Sequence, residues 1–272
     1  MNRTLLSALL CLFATLLLAC GDDGAYSLAP FPAPDAGDTG DAGRSGTVTV
    51  LYPLAEAERY RDVSQRFAES GLLDPFADWL EDAFLLPEDL TVSIEECGVA
   101  NAFYSPSERK IYLCYELLGA MIDTFIDAGG LEAEAAVDAA VQAWIWVLYH
   151  ELGHALVDIL DLAVVGGEES AVDNFSTLLF IDGGEAEVAE AAAAFWFLTS
   201  EPGATPTELA GVHGLSEQRF YTVLCLLYGA DPVRWASLPT RFPEMQARLP
   251  RCQDEYDSQV RAWDALLAPH RR

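Results

Sequence analysis

The sequence predicts an α+β domain in which a small antiparallel sheet precedes a mostly helical region built around one central helix. Three observations predict this class. Short stretches that alternate apolar and polar side chains, as strands do, are confined to residues 47–115. Segments with helical periodicity dominate after residue 117. The longest of them, residues 132–162, carries two of the four histidines of the chain inside an apolar run.

The individual elements can be assigned in chain order from periodicity and turn residues. Residues 47–52 are rich in β-branched side chains and end at Pro53, which predicts a strand, and helices over 56–70 and 75–86 follow. Residues 90–95 and 110–115 alternate in polarity, and a turn at 105–108 separates the latter from Phe103-Tyr104. The remaining segments are predicted helices, several of them bounded by glycine or proline: 117–127, 132–162, 168–181, 185–198, 216–228 and 243–267, the last interrupted near Pro250.

Residues 1–19 resemble the export signal of a bacterial lipoprotein. Arg3 gives a positive start, the following apolar run is too short for a comfortable membrane span, and Leu17-Leu18-Ala19-Cys20 resembles a lipobox. Cleavage before Cys20 would leave a lipidated cysteine that tethers the chain to a membrane. An ordinary signal peptide cut near the same place, which would give a soluble secreted protein, is the alternative.

The predicted location is the bacterial cell envelope, with the lipid-anchored protein facing the periplasm or the cell surface. Gly21 rather than Asp follows Cys20, which favours the outer membrane by resemblance to the sorting rules of some bacteria. Residues 20–46 are mostly Gly, Ala, Asp and Pro and predict a disordered acidic linker behind the lipid anchor. Residues 47–272 are long enough for one domain with its own core.

Charge and cysteine content limit the partners and the compartment. A formal net charge of -28 argues against nucleic acid as a partner, because such a surface repels phosphate. Four of the six cysteines lie outside the signal and the lipidation site, an even number that is typical of an oxidising compartment and allows three pairings. Proximity in the sequence favours Cys97 with Cys114 and Cys225 with Cys252. A four-cysteine metal site is disfavoured, because no pair has the C-x2-C spacing of zinc knuckles.

The central helix carries an HExxH motif, from His150 to His154. On a helix the two histidines project from one face one turn apart, so their imidazoles can hold a single Zn²⁺, while Glu151 lies beside a water at that metal. The same spacing can also arise by chance. Apolar residues at helical spacing predict that this helix is buried, and Trp144 and Trp146 are interpreted as core residues.

The order of the elements is similar to that of zincin peptidases, in which a sheet with an edge strand precedes a backing helix and a central HExxH helix. In those enzymes the edge strand pairs with an extended substrate backbone. A third ligand of the metzincin kind is excluded, because Val157 and Leu160 stand where that class needs Gly and His or Asp. Asp158 follows on the same helix face, but three ligands in a row from one helix suit a tetrahedral site poorly.

Glu169 is the preferred third ligand. It lies fifteen residues after His154, just past a double-glycine break, at the start of the next predicted helix. Asp173 follows one turn later and can accept the free N–H of a ligand histidine. Glu168 could take the place of Glu169, but the spacing to Asp173 favours Glu169. The alternative interpretation is a pair of acids stabilising a helix dipole, which would not explain Asp173.

These ligands define a hypothesis for catalysis. A bound metal lowers the pKa of its water toward 7, and Glu151 acts as general base and then passes the proton to the leaving amine. The developing oxyanion needs a further donor. The candidate is His213 in the loop before a helix. A solvated loop histidine is the alternative, and Arg219, Tyr221 and Tyr228 are rivals for the role.

Two resemblances support this hypothesis. Glu169-Ser170-Ala171-Val172-Asp173 resembles the E-x-x-x-D element of gluzincins such as the thermolysin-like peptidases, in which the glutamate is the third ligand and a histidine stabilises the oxyanion. Over residues 54–256 the chain also resembles a bacterial family of putative metallopeptidases of unknown function. That resemblance implies a gluzincin-like site, and it supports the two disulfides and a role for His213. It rests on Cys97–Tyr104, Leu113–Leu117, the HExxH motif with Glu169 and Asp173, His213–Tyr221 and Tyr228–Pro232.

The predicted function is therefore zinc-dependent hydrolysis of a peptide or protein substrate by a membrane-tethered, exported lipoprotein that binds one Zn²⁺. The competing hypothesis is a non-catalytic binding or scaffold lipoprotein that keeps the zincin-like fold. Glu151 argues against it, because a purely structural zinc site has no need of a general base and usually fills all four positions with protein ligands.

Overall fold

The computed structural model describes residues 45–200, 203 and 214–272. The predicted signal, the lipidated Cys20 and nearly all of the linker lie outside these described residues, as does His213. No described helix combines the length and the apolar character that crossing a membrane requires.

The described chain is an α+β domain, as predicted. Its strands are β1 (Val48–Leu51), β2 (Leu90–Glu95), β3 (Ala102–Ser105) and β4 (Lys110–Cys114). Its helices are α1 (Glu58–Ser70), α2 (Asp74–Ala83), α3 (Tyr115–Asp127), α4 (Ala133–Ile159), α5 (Glu168–Asp182), α6 (Ala186–Leu198), α7 (Ser216–Ala230), α8 (Leu238–Arg241) and α9 (Leu249–Leu267). Short 3₁₀ turns cover Pro243–Ala247 and Ala268–His270.

The sheet is mixed, so the prediction of an antiparallel sheet is wrong for two of its three strand pairs. The strand order is β1-β2-β4-β3, with β2 parallel to both β1 and β4 and with β3 antiparallel to β4. Helices α1 and α2 return the chain to the end of the sheet at which β1 started, which makes β1 and β2 parallel. Alternating polarity reports which face a residue occupies and not the direction of the neighbouring strand. Because β3 stands at the end of the strand order, it is an edge strand, and it pairs with β4.

The last helical segment is interrupted near Pro250, as predicted, although its first part, Pro243–Ala247, is a 3₁₀ turn. Pro250 itself lies in the first turn of α9, where proline is tolerated because its missing N–H would have no partner there. The break falls before it, at Arg248, between the 3₁₀ turn and α9. The short helix α8 was not predicted.

Helix α4 is the centre of the core. It packs against α3, α5, α6 and the β3–β4 hairpin. Trp144, Trp146 and Tyr149 are each at most 1% exposed, which confirms that these aromatic residues belong to the core. Since α4 is buried for most of its length, the HExxH motif is held in a fixed position relative to the sheet and to the neighbouring helices.

Gly153 sets the distance between α4 and α5. A Cβ atom at this position would lie 2.8 Å from both Cβ and Cγ1 of Val172 and 3.2 Å from Cδ1 of Phe175. Side chains do not approach one another so closely, so a larger residue would force the two helices apart. The glycine inside the HExxH motif therefore allows the first turns of α5 to pack directly beside the two histidines.

Two disulfides form, with the predicted pairing. Cys97–Cys114 ties the loop before β3 to the end of β4, and Cys225–Cys252 joins α7 to α9. The buried Glu116 accepts hydrogen bonds from the backbone N–H groups of Cys97 at 3.2 Å and Gly98 at 2.7 Å. The disulfide and Glu116 together fix the segment that leads into the edge strand β3.

Candidate metal centre

Three potential metal ligands meet where α4 and α5 pack together. His150, His154 and Glu169 each offer a donor atom, and the three atoms lie within 4.8 Å of one another. The carboxylate oxygens of Glu169 are 3.4 Å from Nε2 of His150 and 3.5 Å from Nε2 of His154. Two imidazoles and one carboxylate form a donor set of catalytic zinc sites, which leave a fourth position open. The residues therefore fit a divalent metal ion, although other transition metals accept the same donors.

The other ring nitrogen of each histidine faces a carboxylate. Nδ1 of His150 lies 2.7 Å from Oδ1 of Asp173, and Nδ1 of His154 forms a 2.7 Å hydrogen bond with Oε1 of Glu168. Such partners hold the ring of a ligand histidine in one orientation and one tautomer. Both Nε2 atoms are consequently directed toward Glu169.

Glu168, the sequence-based alternative to Glu169 as a ligand, lies on the opposite side of His154. Its contact is with Nδ1, whereas Glu169 faces the two Nε2 atoms. Neighbouring positions on a helix point about 100° apart, so two adjacent glutamates cannot face the same point. This contact of Glu168 with His154 was not predicted, although the two acidic residues in the first turn of α5 indicate a site for a positive group.

Arg219 contacts Asp173 rather than a catalytic cleft. Its Nε and Nη2 atoms donate to Oδ2 and Oδ1 of Asp173 at 2.8 Å and 2.6 Å. Its guanidinium lies over the ring of Trp196, with Cζ 3.7 Å from the ring centroid. Both contacts belong to the inner side of the centre, behind His150.

Charges within this cluster shift the pKa values of its members. Burial lowers the pKa of His150, but hydrogen bonding to Asp173 and Glu169 outweighs burial and raises it to about 9. Burial raises the pKa of Glu169, but the two histidines hold it well below the usual range. Burial also raises the pKa of Asp173, but the positive charge of Arg219 and the contact with His150 outweigh burial and lower the pKa of this carboxyl.

Glu151 lies at one wall of a cleft of about 610 Å³. Burial is the main cause of a raised pKa for this carboxyl, and the positive charges of His150 and His154 and the backbone N–H of Tyr104 oppose it. A carboxyl with a raised pKa beside a metal site is suited to accept and return a proton near neutral pH. The lining comprises Asn101, Ala102, Phe103, Tyr104, Pro106, Glu151, His154, Val157, Asp158, Asp161, Leu162, Glu168 and Glu169.

Strand β3 forms the opposite wall of this cleft. Ala102, Phe103 and Tyr104 line it, and β4 lies on the other side of the strand. The hydroxyl of Tyr104 donates to Oδ2 of Asp158 at 2.7 Å, and Nη1 of Arg109 is 3.3 Å from the same oxygen. Asp158 therefore contributes to the rim of the cleft and connects α4 to β3, one turn beyond the pair of histidines.

The remaining predicted residues occupy other places. The hydroxyl of Tyr221 donates to Glu244, and Tyr228 packs against the hydrophobic core. Neither tyrosine is among the described residues that line the cleft. A second group with ligand chemistry, Glu116 beside Cys97 and Cys114, has its two sulfurs in a disulfide and does not offer thiolate ligands.

Comparison with known proteins gives one finding. A family model with the description "Putative metallopeptidase" matches residues 52–267, which include β2 to β4, the HExxH helix and both disulfides. No curated protein and no solved structure matches the chain.

Proposed function

This chain belongs to the putative metallopeptidase family, and we propose that it hydrolyses peptide bonds with one zinc ion held by His150, His154 and Glu169. A zinc ion in this site supplies Lewis-acid chemistry, which activates water and polarises a carbonyl group. The observation that carries the proposal is the convergence of the three donor atoms at the wall of a cleft that also contains the buried carboxyl of Glu151.

Glu151 is the proposed general base and general acid. Its carboxylate accepts a proton from the attacking water and returns it to the leaving amine, so one carboxyl serves both proton transfers. Its position follows from the motif, because Glu151 is adjacent to His150 in sequence and projects to the cleft side of the same helix. Its raised pKa supports this exchange, since a carboxylate of ordinary acidity would hold a proton less well.

An extended peptide along β3 is the proposed substrate. An edge strand has backbone N–H and C=O groups available on its outer side, and an extended peptide can pair with them as an additional strand. Strand β3 is such an edge, since β4 lies on its other side, and Ala102, Phe103 and Tyr104 line the cleft. Pairing there would bring the peptide backbone between β3 and Glu151.

His213 remains the proposed donor to the oxyanion. Its sequence rivals in the described part of the chain are engaged elsewhere: Arg219 with Asp173, Tyr221 with Glu244, and Tyr228 with the core. Replacement of His213 by alanine is expected to leave zinc bound while the hydrolysis rate falls, because the residue would stabilise only the transition state.

The proposed setting is an exported lipoprotein anchored through Cys20. Two disulfides in the described domain support an oxidising compartment, because such bonds are rare in reducing cytosol. Labelling of the full-length protein with a radioactive fatty acid in a bacterial host tests the anchor. Label is expected on the wild type and not on Cys20→Ala, and equal absence of label from both would contradict the assignment.

The enzymatic proposal is tested by metal analysis and by turnover of a mixed peptide library. The wild type is expected to bind one equivalent of zinc and to cleave peptides, and Glu151→Gln to keep the metal while the rate falls by about 10² to 10⁴. Glu134→Gln is the matched control, since Glu134 is an exposed glutamate on the same helix. Glu169→Ala is expected to lose zinc.

Two outcomes would contradict these assignments separately. A zinc-loaded wild type that cleaves no peptide, while Glu151→Gln behaves identically, would favour a non-catalytic scaffold. Zinc retained with unchanged affinity in Glu169→Ala would remove Glu169 from the ligand set without excluding catalysis.

A further inference from the structure

Four helices contribute to a cluster on the inner side of the metal centre. Arg219 comes from α7, Asp173 from α5, Trp196 from α6, and both Trp146 and His150 from α4. Asp173 is 6% exposed, and the Arg219 side chain is 11% exposed. This cluster has no part in the proton transfers assigned to Glu151.

One oxygen of Asp173 serves two partners. Oδ1 lies 2.6 Å from Nη2 of Arg219 and 2.7 Å from Nδ1 of His150, while Oδ2 accepts from Nε of Arg219 at 2.8 Å. The two parallel contacts from one guanidinium fix the plane of the carboxylate as well as its position. The direction of Oδ1 toward His150 is therefore set by Arg219.

Two tryptophans hold the guanidinium of Arg219 in place. Cζ of Arg219 lies 3.7 Å from the ring centroid of Trp196 and 5.8 Å from that of Trp146, distances at which a cation is attracted to an aromatic ring. Trp146 also stacks against His150, with ring centroids 5.6 Å apart and the planes inclined by 28°. The same indole therefore contacts both the ligand histidine and the arginine that acts on it through Asp173.

The surroundings of Arg219 distinguish this role from substrate binding. Its guanidinium is engaged by Asp173 and stacked on Trp196, and Arg219 is not among the described residues that line the cleft. Simple neutralisation of a buried carboxylate would need one positive charge. Neutralisation alone would not need a planar guanidinium that is aligned with both carboxylate oxygens and packed on an indole.

We propose that Arg219 is a positioning residue for the metal ligand His150. Stacked on Trp196 and fixed to both oxygens of Asp173, it holds that carboxylate against Nδ1 and thereby keeps Nε2 of His150 directed at the metal. The inference rests on the proposed metal site at His150, His154 and Glu169. It extends the site by one residue that the HExxH and ExxxD motifs do not contain.

Metal affinity of the full-length protein is the first test. Competition with a chromophoric chelator gives the dissociation constant for zinc, and the visible absorption of the cobalt-substituted protein reports ligand geometry. Arg219→Met is expected to weaken zinc binding about 10-fold to 100-fold and to change the cobalt spectrum. Arg219→Lys is expected to weaken zinc binding less than Arg219→Met does, because lysine keeps the positive charge even though it lacks the planar guanidinium. Arg248→Met is the matched control, since Arg248 makes a similar two-nitrogen contact with Glu255 at the start of α9.

A double-mutant cycle with Asp173→Asn separates positioning from a general structural role. If Arg219 acts through Asp173, Arg219→Met is expected to cause little further loss of zinc affinity in the Asp173→Asn background. Fully additive losses would overturn the proposal, as would a wild-type zinc affinity and cobalt spectrum in folded Arg219→Met. If Arg219→Met does not fold, wild-type affinity in Arg219→Lys is the overturning result. A wild type that binds no zinc would instead contradict the proposed function itself.

Discussion

The two histidines of the candidate metal centre have the same kind of partner in different surroundings. The side chain of His150 is 5% exposed, and the side chain of its partner Asp173 is 9% exposed and is itself held by Arg219. The side chain of His154 is 16% exposed, and its partner Glu168 is 46% exposed at the rim of the cleft. One half of the centre is therefore enclosed by packed helices, and the other half is open to water.

This difference indicates which of the two ligand histidines is held more rigidly. A buried charge pair is costly to break because the remaining charge stays out of water, whereas an exposed pair contributes little. The inner half, His150 with Asp173, is therefore expected to fix the metal position. The outer half, His154 with Glu168, lines the open cleft and can adapt more freely.

Replacement of Asp173 by asparagine should have the largest effect. Asparagine can keep its oxygen at the position of Oδ1, but its NH₂ group would then face Nε of Arg219, which needs an acceptor, and the negative charge beside His150 would be lost. We expect zinc affinity to fall about 10-fold to 100-fold, measured by chelator competition. Asp182→Asn at the other end of α5, where Asp182 accepts from Tyr256, is the matched control. An equal loss in Glu168→Gln would remove the distinction between the two halves.

Gly153→Ala should disturb both halves together. Alanine in a helix interior is favoured over glycine by about 1 kcal/mol, but its Cβ would lie 2.8 Å from Val172, and such overpacking costs about 1–3 kcal/mol. The net expectation is a loss of about 1 kcal/mol in the free energy of unfolding, with weaker zinc binding because Glu169 and Asp173 move away with α5. Urea denaturation with and without zinc measures both effects. A more stable variant with unchanged zinc affinity would show that the close approach of the helices is not required.

Glu168→Gln should have a smaller effect than Asp173→Asn. Glutamine keeps a carbonyl oxygen that can accept from Nδ1 of His154, and an exposed ion pair contributes about 1 kcal/mol or less. We expect zinc affinity to fall less than about tenfold. The difference from the wild type should shrink at high salt, because ions screen exposed charges more than buried ones. A loss that is independent of salt would indicate that Glu168 is shielded from water in the metal-bound protein.

The sequence predicts those parts of this centre that depend on local geometry. Spacing along a helix is enough to put His150 beside His154 and Glu169 beside Asp173, and Gly166-Gly167 indicates where the chain turns between the two helices. The contact of Glu168 with the far side of His154 needs the relative rotation of α4 and α5, which depends on Gly153 and Val172. Periodicity carries no information on such long-range packing.

The same limit applies to the sheet and to Arg219. Alternating residues in β2 and β4 identify strands, but their parallel pairing depends on β4 lying between β2 and β3. Arg219 lies 46 residues from Asp173 in the sequence, and its position follows from the packing of α6 and α7 against α5. Arg219 was predicted only as a rival of His213 for the oxyanion, because sequence position does not reveal a carboxylate and an indole that other helices bring to it.

Proton release on metal binding should show the difference between the two halves most directly. In the metal-free protein Asp173 and Glu169 raise the pKa of His150 to about 9, so its imidazole is protonated at pH 7, and the pKa of His154 is also raised. Zinc binds the neutral imidazole, so binding must displace the proton of His150, and the apparent zinc affinity should rise with pH up to about pH 9. Titration calorimetry in buffers of different ionisation enthalpy counts the protons. Asp173 keeps the pKa of His150 high, so the Asp173→Asn variant should release fewer protons than the wild type when it binds zinc at pH 7. The number of protons that Glu168→Gln releases should be closer to the wild-type number. Equal release from all three proteins would mean that the enclosed half does not control the charge of His150.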